Sequence, residues 1–171
     1  TAGANQAFIC TIMALAGAGD KVALTNPFYF NHETTLSMLG IGVVTLGCDH
    51  DNGFLPSLPE VDAALQSGVK ALALVTTNNP TGAVYPQGLL QEIFARCQAH
   101  GVWLIVDETY RDFDSRTGRP HDLFTDPDWA RNTVASIDKW VGFVRDRTTR
   151  PVITVVRGIV YGFLVATGVV I

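Results

Sequence analysis

Charged residues are scarce in this sequence, and they form no basic surface. Only 16% of its 171 residues are charged, and the formal net charge is −4. The first 140 residues contain no cluster of lysine and arginine with interleaved aromatic residues. The field that gathers nucleic acid is therefore missing, and we expect no nucleic-acid partner.

Cysteine is also rare, and its spacing matches no common metal motif. Cys10, Cys48 and Cys97 are odd in number, far apart, and without a CxxC or Cys/His spacing, so we expect no metal site. They suit reduced thiols that pack as small apolar side chains in a cytoplasmic protein. The sequence opens at Thr1 without a methionine or a basic-then-apolar leader, so we expect a cytoplasmic fragment with no visible signal peptide.

What the sequence does contain is an apolar run that ends in a carboxylate. Residues 102–106 are apolar and are followed by Asp107. Such a run predicts a strand buried on both faces of a parallel sheet, and Asp107 then lies at the edge where open α/β sheets bind ligands. An aspartate there can hold a ring nitrogen protonated, and Tyr110 can reach a second atom of the same ligand. The alternative is that Asp107 caps the next helix.

Helical and strand patterns alternate along the chain. Strands are predicted at residues 21–25, 43–46, 70–77 and 102–106, and helices at residues 34–39, 58–65 and 86–100, after a first helix with Ile9, Ile12, Met13 and Ala16 on its apolar face. This order is typical of an α/β fold with three layers. We therefore predict a mostly parallel sheet with helices on both faces and right-handed crossovers.

Polar and aromatic residues follow the predicted strands. Residues 28–30 are three aromatics in a predicted loop, and one of them can cover a flat ligand. The Asn79 amide can meet a ligand oxygen, although its Asn-Pro-Thr-Gly stretch is also an ordinary tight turn. Residues 3–5 precede the first helix and suit a phosphate, with an ordinary helix start as the alternative. Because the carboxyl ends of parallel strands share one edge, we expect Tyr29, Asn79 and Asp107 to meet one ligand there.

Four motifs occur in order along the chain. They are Gly-Ala-Asn-Gln-Ala at residues 3–7, Pro-Phe-Tyr-Phe-Asn-His at 27–32, Asn-Asn-Pro-Thr-Gly at 78–82 and Asp-Glu-Thr-Tyr at 107–110. Together they resemble the large domain of class I/II aminotransferases of the aspartate aminotransferase type, which use pyridoxal 5′-phosphate. The resemblance covers Thr1 to about Thr133. It implies an incomplete pyridoxal-phosphate-binding large domain over residues 1–134.

The resemblance implies that the first two motifs hold the cofactor by its phosphate and by one face of its ring. Gly3, Ala4 and Asn5 would bind the phosphate, and Tyr29 would stack on the pyridine ring. The N–H groups at the start of a helix are suited to that phosphate.

The resemblance assigns the polar atoms of the ring to the other motifs. Asn79 and Tyr110 would hydrogen-bond its phenolic oxygen, and Asp107 would pair with its protonated nitrogen. His32, from the second motif, would support Asp107 without contacting the cofactor itself. An aspartate–pyridinium pair keeps the ring cationic and makes it an electron sink.

The other three histidines fall outside these motifs. His50 and His121 lie on predicted loops, and His100 lies at a predicted helix end. We expect all three to be solvated.

The family also needs a lysine that binds the cofactor covalently and later carries a proton. Lys139 lies at roughly the family's distance from Asp107, and Arg147 stands where the family has a phosphate-binding arginine. The glycines that flank that arginine in the family are absent here. In a second register the lysine position falls near Gly142 and is empty. Lys139 is therefore the candidate catalytic residue, with a surface lysine as the alternative.

The composition changes in the last part of the chain, which we treat as an atypical tail, residues 135–171. Residues 152–171 carry one charge, Arg157, and follow three arginines. Twenty such residues can span a bilayer with basic residues on one side. We therefore predict a membrane helix at residues 152–171, with membrane contact through the tail. The alternative is a pair of buried strands, because Val, Ile and Thr are abundant.

Two classes of function follow from these patterns. The first is an enzyme that moves an amino group between an amino acid and a 2-oxo acid through pyridoxal 5′-phosphate; the family's active sites form between two subunits, which implies a homodimer. The second is a truncated or fused remnant without catalysis, attached to membranes by its tail. An intact, desolvated Lys139 separates the two classes.

Overall fold

The computed structural model describes residues 3–114 and 121–136. Within them, five strands form one parallel sheet in the order β2-β1-β3-β4-β5. The strands are β1 (Lys21–Asn26), β2 (Gly42–Gly47), β3 (Ala71–Val75), β4 (Trp103–Asp107) and β5 (Thr133–Ser136). The helices are α1 (Ala4–Leu15), α2 (Phe30–Met38), α3 (Leu58–Gln66) and α4 (Gln87–His100). Three short 3-10 helices span Arg111–Phe113, Leu123–Thr125 and Trp129–Arg131.

Each face of the sheet has its own hydrophobic core, because successive strand residues point to opposite faces. Val22 and Leu24 of β1 pack with α1 and α2, whereas Ala23 packs with α3 and α4. In β4, Ile105 joins the first core, and Leu104 and Val106 join the second. The predicted three-layer α/β fold is confirmed.

Local sequence accounts for where the helices begin and end. Ser57 and Glu60 form a reciprocal capping box at the start of α3, next to a proline in its first turn, which satisfies N–H groups that lack helical acceptors. Gly101 ends α4 in the left-handed conformation, with φ 64°, which glycine adopts without a Cβ penalty. Both ends lie where the sequence predicts them.

The prediction for α2 is wrong at its start. The helix begins at Phe30 rather than at residue 34, so Asn31 and His32 lie on a helix and not in a loop. Its buried residues are His32 and Leu36. His32 and Leu36 are four residues apart and form the buried face of the helix. Because histidine is not apolar, the sequence here lacks the apolar period that reveals most helices.

The predicted apolar face of α1 is also partly wrong. Phe8 and Ile12 are buried, but Ile9 and Met13 are 38% and 64% exposed. Phe8 and Ile12 are one turn apart, so they define the face that meets the sheet. Ile9 and Met13 follow them by one residue each and therefore point away from that face.

The strand β5 was not predicted, and the proposed domain boundary at residue 134 falls inside it. β5 pairs with β4 in parallel, from Leu104 opposite Thr133 to Asp107 opposite Ser136.

The predicted membrane helix at residues 152–171 and nearly all of the proposed tail lie outside the described residues. In residues 3–114 and 121–136, no helix combines the length and apolar composition needed to cross a membrane.

The three cysteines are free thiols, and two of them belong to the core as predicted. Cys48 and Cys97 are buried, whereas Cys10 is half-buried. Burial, with the neighbouring Glu60 carboxylate, raises the pKa of Cys48 to about 11. Burial alone raises the pKa of Cys97 to about 12. Both thiols are therefore protonated, and thus poor nucleophiles, near neutral pH.

Candidate functional site

The candidate site lies at the carboxyl edge of the sheet. β1 is flanked by β2 on one side and β3 on the other, so the winding direction reverses beside it. Such a switch point opens a crevice outside the carboxyl ends of the strands. The segments that leave β1, β3 and β4 at this edge contain Tyr29, Asn79 and Tyr110 respectively.

Asp107 is the last residue of β4, and it is buried among hydrogen-bond donors. His32 Nε2 lies 3.2 Å from its Oδ2. The N–H and the hydroxyl of Thr109 donate to its Oδ1 at 3.0 and 2.6 Å. Burial by itself raises the pKa of Asp107, but the hydrogen bonds from His32 and Thr109 outweigh it and hold this pKa below its ordinary range. Asp107 is therefore an ionised carboxylate inside the protein at neutral pH.

The alternative, in which Asp107 caps the following helix, is wrong. The next helix is the 3-10 turn that begins at Arg111, and its N-cap is Tyr110, with no side-chain cap. Asp107 instead bonds Thr109 within the turn that precedes this helix. That bond is an ordinary Asx-type contact. It occupies one carboxylate oxygen and leaves the other facing His32.

His32 is held between two aromatic rings. Phe8 of α1 stacks on it with ring centroids 3.8 Å apart, and Tyr29 meets it edge-on at 5.4 Å. Asn31 Nδ2 donates to the Tyr29 hydroxyl at 2.8 Å. These contacts fix the imidazole that faces Asp107. They also place the ring of Tyr29 against the imidazole that faces this carboxylate.

The turn after β3 divides two roles between neighbouring asparagines. Asn78 Oδ1 accepts from the N–H and the hydroxyl of Thr81, so it builds the turn. Asn79 Nδ2 donates to the Tyr110 hydroxyl at 3.3 Å. Asn79 and Tyr110 line a cleft of about 330 Å³ together with Thr77, Asn78, Pro80, Gly82 and Phe113. Two polar groups from different loops thus converge in one cleft.

Gly3, Ala4 and Asn5 lie at the start of α1. Gly3 is the N-cap with φ 89°, and no side chain caps the helix. A helix start offers N–H groups without helical acceptors and a positive dipole end, which together suit an anion. Phe8, about one turn beyond Ala4, stacks on His32 and so connects this helix start to the Asp107 cluster.

Two residues of this cluster were missed by sequence reasoning. Thr109 was detectable, because a threonine two residues after an aspartate is a common side-chain-to-backbone turn signal. Phe8 was not, because its stacking partner His32 is on another helix. A contact between separate elements leaves no local pattern in the sequence.

The prediction that His121 is solvated is wrong, whereas His50 and His100 are exposed as predicted. His121 Nε2 lies 3.2 Å from Glu108 Oε1, and both side chains are only 2% exposed. Glu108 follows Asp107, so strand alternation directs it to the opposite face of the sheet. A carboxylate is costly to bury away from polar groups, and His121 is the polar side chain that lies against it.

Lys139, the candidate catalytic residue, lies outside the described residues. The chain has two other lysines, Lys21 and Lys70. Lys21 begins β1 and Lys70 immediately precedes β3, so both lie at the amino edge of the sheet, away from Asp107. Lys21 donates to the Ser67 carbonyl, and Lys70 pairs with Asp20.

Comparison with known proteins identifies the family of this chain. The sequence model described as "Aminotransferase class I and II" matches residues 1–141. The chain belongs to the class I and II aminotransferase family. An aromatic aminotransferase of Arabidopsis thaliana is 35% identical over 116 residues, which are 66% of this chain and 29% of that protein. The chain thus spans less than a third of this relative's length.

Solved structures show the same fold. An aminotransferase from Mycobacterium tuberculosis has a TM-score of 0.69 and 29% identity, over 81% of this chain and 35% of that one. Cystalysin from Treponema denticola, whose crystal structure contains pyridoxal 5′-phosphate, has a TM-score of 0.72 and 20% identity, over 80% and 36%. At that identity, the cystalysin likeness speaks for the fold alone.

Proposed function

We propose that this chain carries the cofactor-binding edge of an aminotransferase that moves an amino group between an amino acid and a 2-oxo acid through pyridoxal 5′-phosphate. The observation that carries the proposal is the buried, ionised Asp107, held by His32 and Thr109 at the carboxyl edge of the sheet. Family membership makes this reaction class the expected one.

The residues at this edge fit the chemistry of the cofactor. A buried carboxylate is stabilised by a cation, and a protonated ring nitrogen is such a partner. Asn79 and Tyr110 converge in one cleft and can both donate to a phenolic oxygen. The uncapped start of α1 suits a phosphate. When bound, the cofactor supplies an electron sink for the electron pair left on the substrate when its Cα proton is removed.

The protein's own residues would orient the cofactor and control protons around it. Asp107 would keep the ring nitrogen protonated, and His32 would keep Asp107 ionised and correctly aimed. Tyr29 would cover one face of the ring, and its hydroxyl is steadied by Asn31. Gly3, Ala4 and Asn5 would anchor the phosphate. Asp107 ends β4, and the other groups lie in α1 and α2 or, for Gly3 and Tyr29, at the N-caps of these helices, which gives the site rigid support.

The register of β5 supports Lys139 as the catalytic lysine. Ser136 lies opposite Asp107 at the carboxyl edge, and Lys139 follows it by three residues, which span at most about 11 Å of chain. Lys21 and Lys70 lie at the amino edge of the sheet. Lys139 is therefore the one lysine of the chain whose connection starts beside Asp107. The family match, which extends to residue 141, includes it.

Titration of the purified chain with pyridoxal 5′-phosphate tests the proposed function. We expect saturable binding, measured by absorbance. In Asn79→Ala the affinity for the cofactor should fall about tenfold, because a hydrogen bond to a charged oxygen is lost. The matched control is Gln66→Ala, an exposed residue of α3, which should bind as the unsubstituted chain does. Equal affinity in both variants would remove Asn79 from the site, and absence of saturable binding would contradict the proposal.

We propose in addition that the active form is a homodimer. Ile9, Met13, Phe30 and Met38 are large apolar side chains exposed on α1 and α2, which cover one face of the sheet, and a second copy is a partner that would bury them. Sedimentation equilibrium at micromolar concentration should give a dimer that Met13→Lys shifts towards monomer. A monomer at every concentration would contradict this.

A further inference from the structure

Two successive carboxylates at the end of β4 each face a buried histidine, on opposite sides of the sheet. Asp107 Oδ2 lies 3.2 Å from His32 Nε2, and Glu108 Oε1 lies 3.2 Å from His121 Nε2. The first pair belongs to the site described above. The second pair has no assigned role, and its histidine lies beside the core that contains Leu123.

The second pair is costly to bury, which calls for an explanation. Both side chains are 2% exposed, and neither Glu108 Oε2 nor His121 Nε2 has a hydrogen-bond partner among the described residues. Apolar residues of similar volume are often as stabilising as a buried pair of this kind or more so. Stabilisation of the fold alone therefore explains the pair poorly, whereas a need to hold Glu108 in one fixed position explains it well.

Hydrogen bonding fixes the orientation of His121. Its Nδ1 accepts from the N–H of Leu123 at 3.3 Å. Its Nε2 then faces Glu108 Oε1 at 3.2 Å, but the two atoms are not aligned as a hydrogen bond, and Nε2 has no hydrogen-bond partner among the described residues. The ring of His121 also meets Phe124, which packs against Trp129. The histidine is therefore held by a packed segment rather than by a free loop.

The Glu108 end of the pair controls a turn that leads into the site. The Glu108 carbonyl accepts from the N–H of Arg111 at 3.0 Å, which closes the turn that presents Thr109 and Tyr110. Thr109 bonds Asp107, and the Tyr110 hydroxyl accepts from Asn79. Asp107 thus anchors this turn from one face of the sheet, and Glu108 anchors it from the other.

We propose that Glu108 and His121 are positioning residues that set the place of the Tyr110 hydroxyl in the cleft. This role rests on the proposed function, in which Tyr110 and Asn79 meet the phenolic oxygen of the cofactor. The pair touches neither cofactor nor substrate; it acts through the turn between Glu108 and Arg111. The segment that holds His121 leads directly into β5, so the pair also connects the strand of Asp107 to the strand that precedes Lys139.

The test uses fluorine NMR of 3-fluorotyrosine in the chain without cofactor. The sequence has four tyrosines, and Tyr110→Phe assigns the Tyr110 resonance. His121→Leu removes the ring nitrogen that faces Glu108 and should move the Tyr110 resonance while leaving that of Tyr29 in place. His121→Gln keeps a polar N–H group at that position and should return the Tyr110 resonance to its original place. Glu108→Gln, which keeps a polar side chain of the same size, should resemble the unsubstituted chain. His100→Leu, at an exposed histidine, is the matched control.

A second measurement connects the pair to the cofactor. The affinity for pyridoxal 5′-phosphate should fall about tenfold in His121→Leu, as expected for one lost hydrogen bond to a charged oxygen, and recover in His121→Gln. An unmoved Tyr110 resonance in folded His121→Leu would overturn the proposal. If that variant does not fold, His121→Asn, which is too short to reach Glu108, replaces it; failure of the Leu, Asn and Gln variants alike to fold would show a purely structural role and equally overturn the proposal.

The two measurements separate this inference from the proposed function. The fluorine resonance reports the position of Tyr110 whether or not the cofactor binds. If the unsubstituted chain binds no cofactor but Tyr110 moves in His121→Leu, the proposed function fails and the positioning role stands. If the cofactor binds and Tyr110 does not move, the positioning role fails alone.

Discussion

Replacing Lys139 with alanine should remove covalent attachment of pyridoxal 5′-phosphate and lower amino transfer by at least about 10⁴-fold. The expected loss is large because one side chain would serve both as the nucleophile that holds the cofactor and as the carrier of the substrate proton, and acid–base catalysis alone contributes up to about 10⁴-fold. Borohydride reduction followed by peptide mass spectrometry checks the attachment, and an amino-transfer assay checks the rate.

The other two lysines provide matched controls for this experiment. Lys21 and Lys70 lie at the amino edge of the sheet, so Lys21→Ala and Lys70→Ala should keep both the adduct and the rate. A reduced adduct that survives in Lys139→Ala would contradict the assignment. Cofactor that binds to the unsubstituted chain without any reducible bond would favour the second sequence register, in which the lysine position is empty and the chain is a non-catalytic remnant.

Replacing Asp107 with asparagine should lower amino transfer by about 10²- to 10³-fold while the fold survives. A neutral amide cannot hold the ring nitrogen protonated, so the electron sink weakens; losing a preorganised electrostatic partner typically costs this much. Steady-state kinetics measures the effect, and circular dichroism checks the fold. Asp51→Asn is the matched control, because this carboxylate is 98% exposed and its ion pair is with the exposed His50. Unchanged turnover in Asp107→Asn would exclude Asp107 from the site.

The same substitution has a defined effect on stability. Because the pKa of Asp107 is lower in the folded protein than in the unfolded chain, its ionised form stabilises the fold at pH values above about 4. That contribution is lost as the pH falls through the folded pKa. The difference in unfolding free energy between the unsubstituted chain and Asp107→Asn should therefore shrink in acid, and denaturant titrations at several pH values measure it.

The order of elements and the parallel sheet followed from local sequence. Apolar runs at β3 and β4 predict strands buried on both faces, the apolar period at residues 58–65 predicts α3, and Gly101 marks the end of α4. The rule that parallel strands share a carboxyl edge then predicts that residues following different strands lie together. Such inferences need only the periodicity of each segment and the topology that alternating elements allow.

Tertiary structure decided the contacts that neither local pattern nor family resemblance contained. The sequence suggested solvated His121, a loop at His32 and no role for Phe8, whereas the fold buries all three side chains against partners from other elements. It also assigned turn-building to Asn78 and the cleft to Asn79. Periodicity shows which face of an element is apolar, but not which buried polar group on another element meets it. Those pairs depend on strand register and helix packing, which no single segment of the sequence contains.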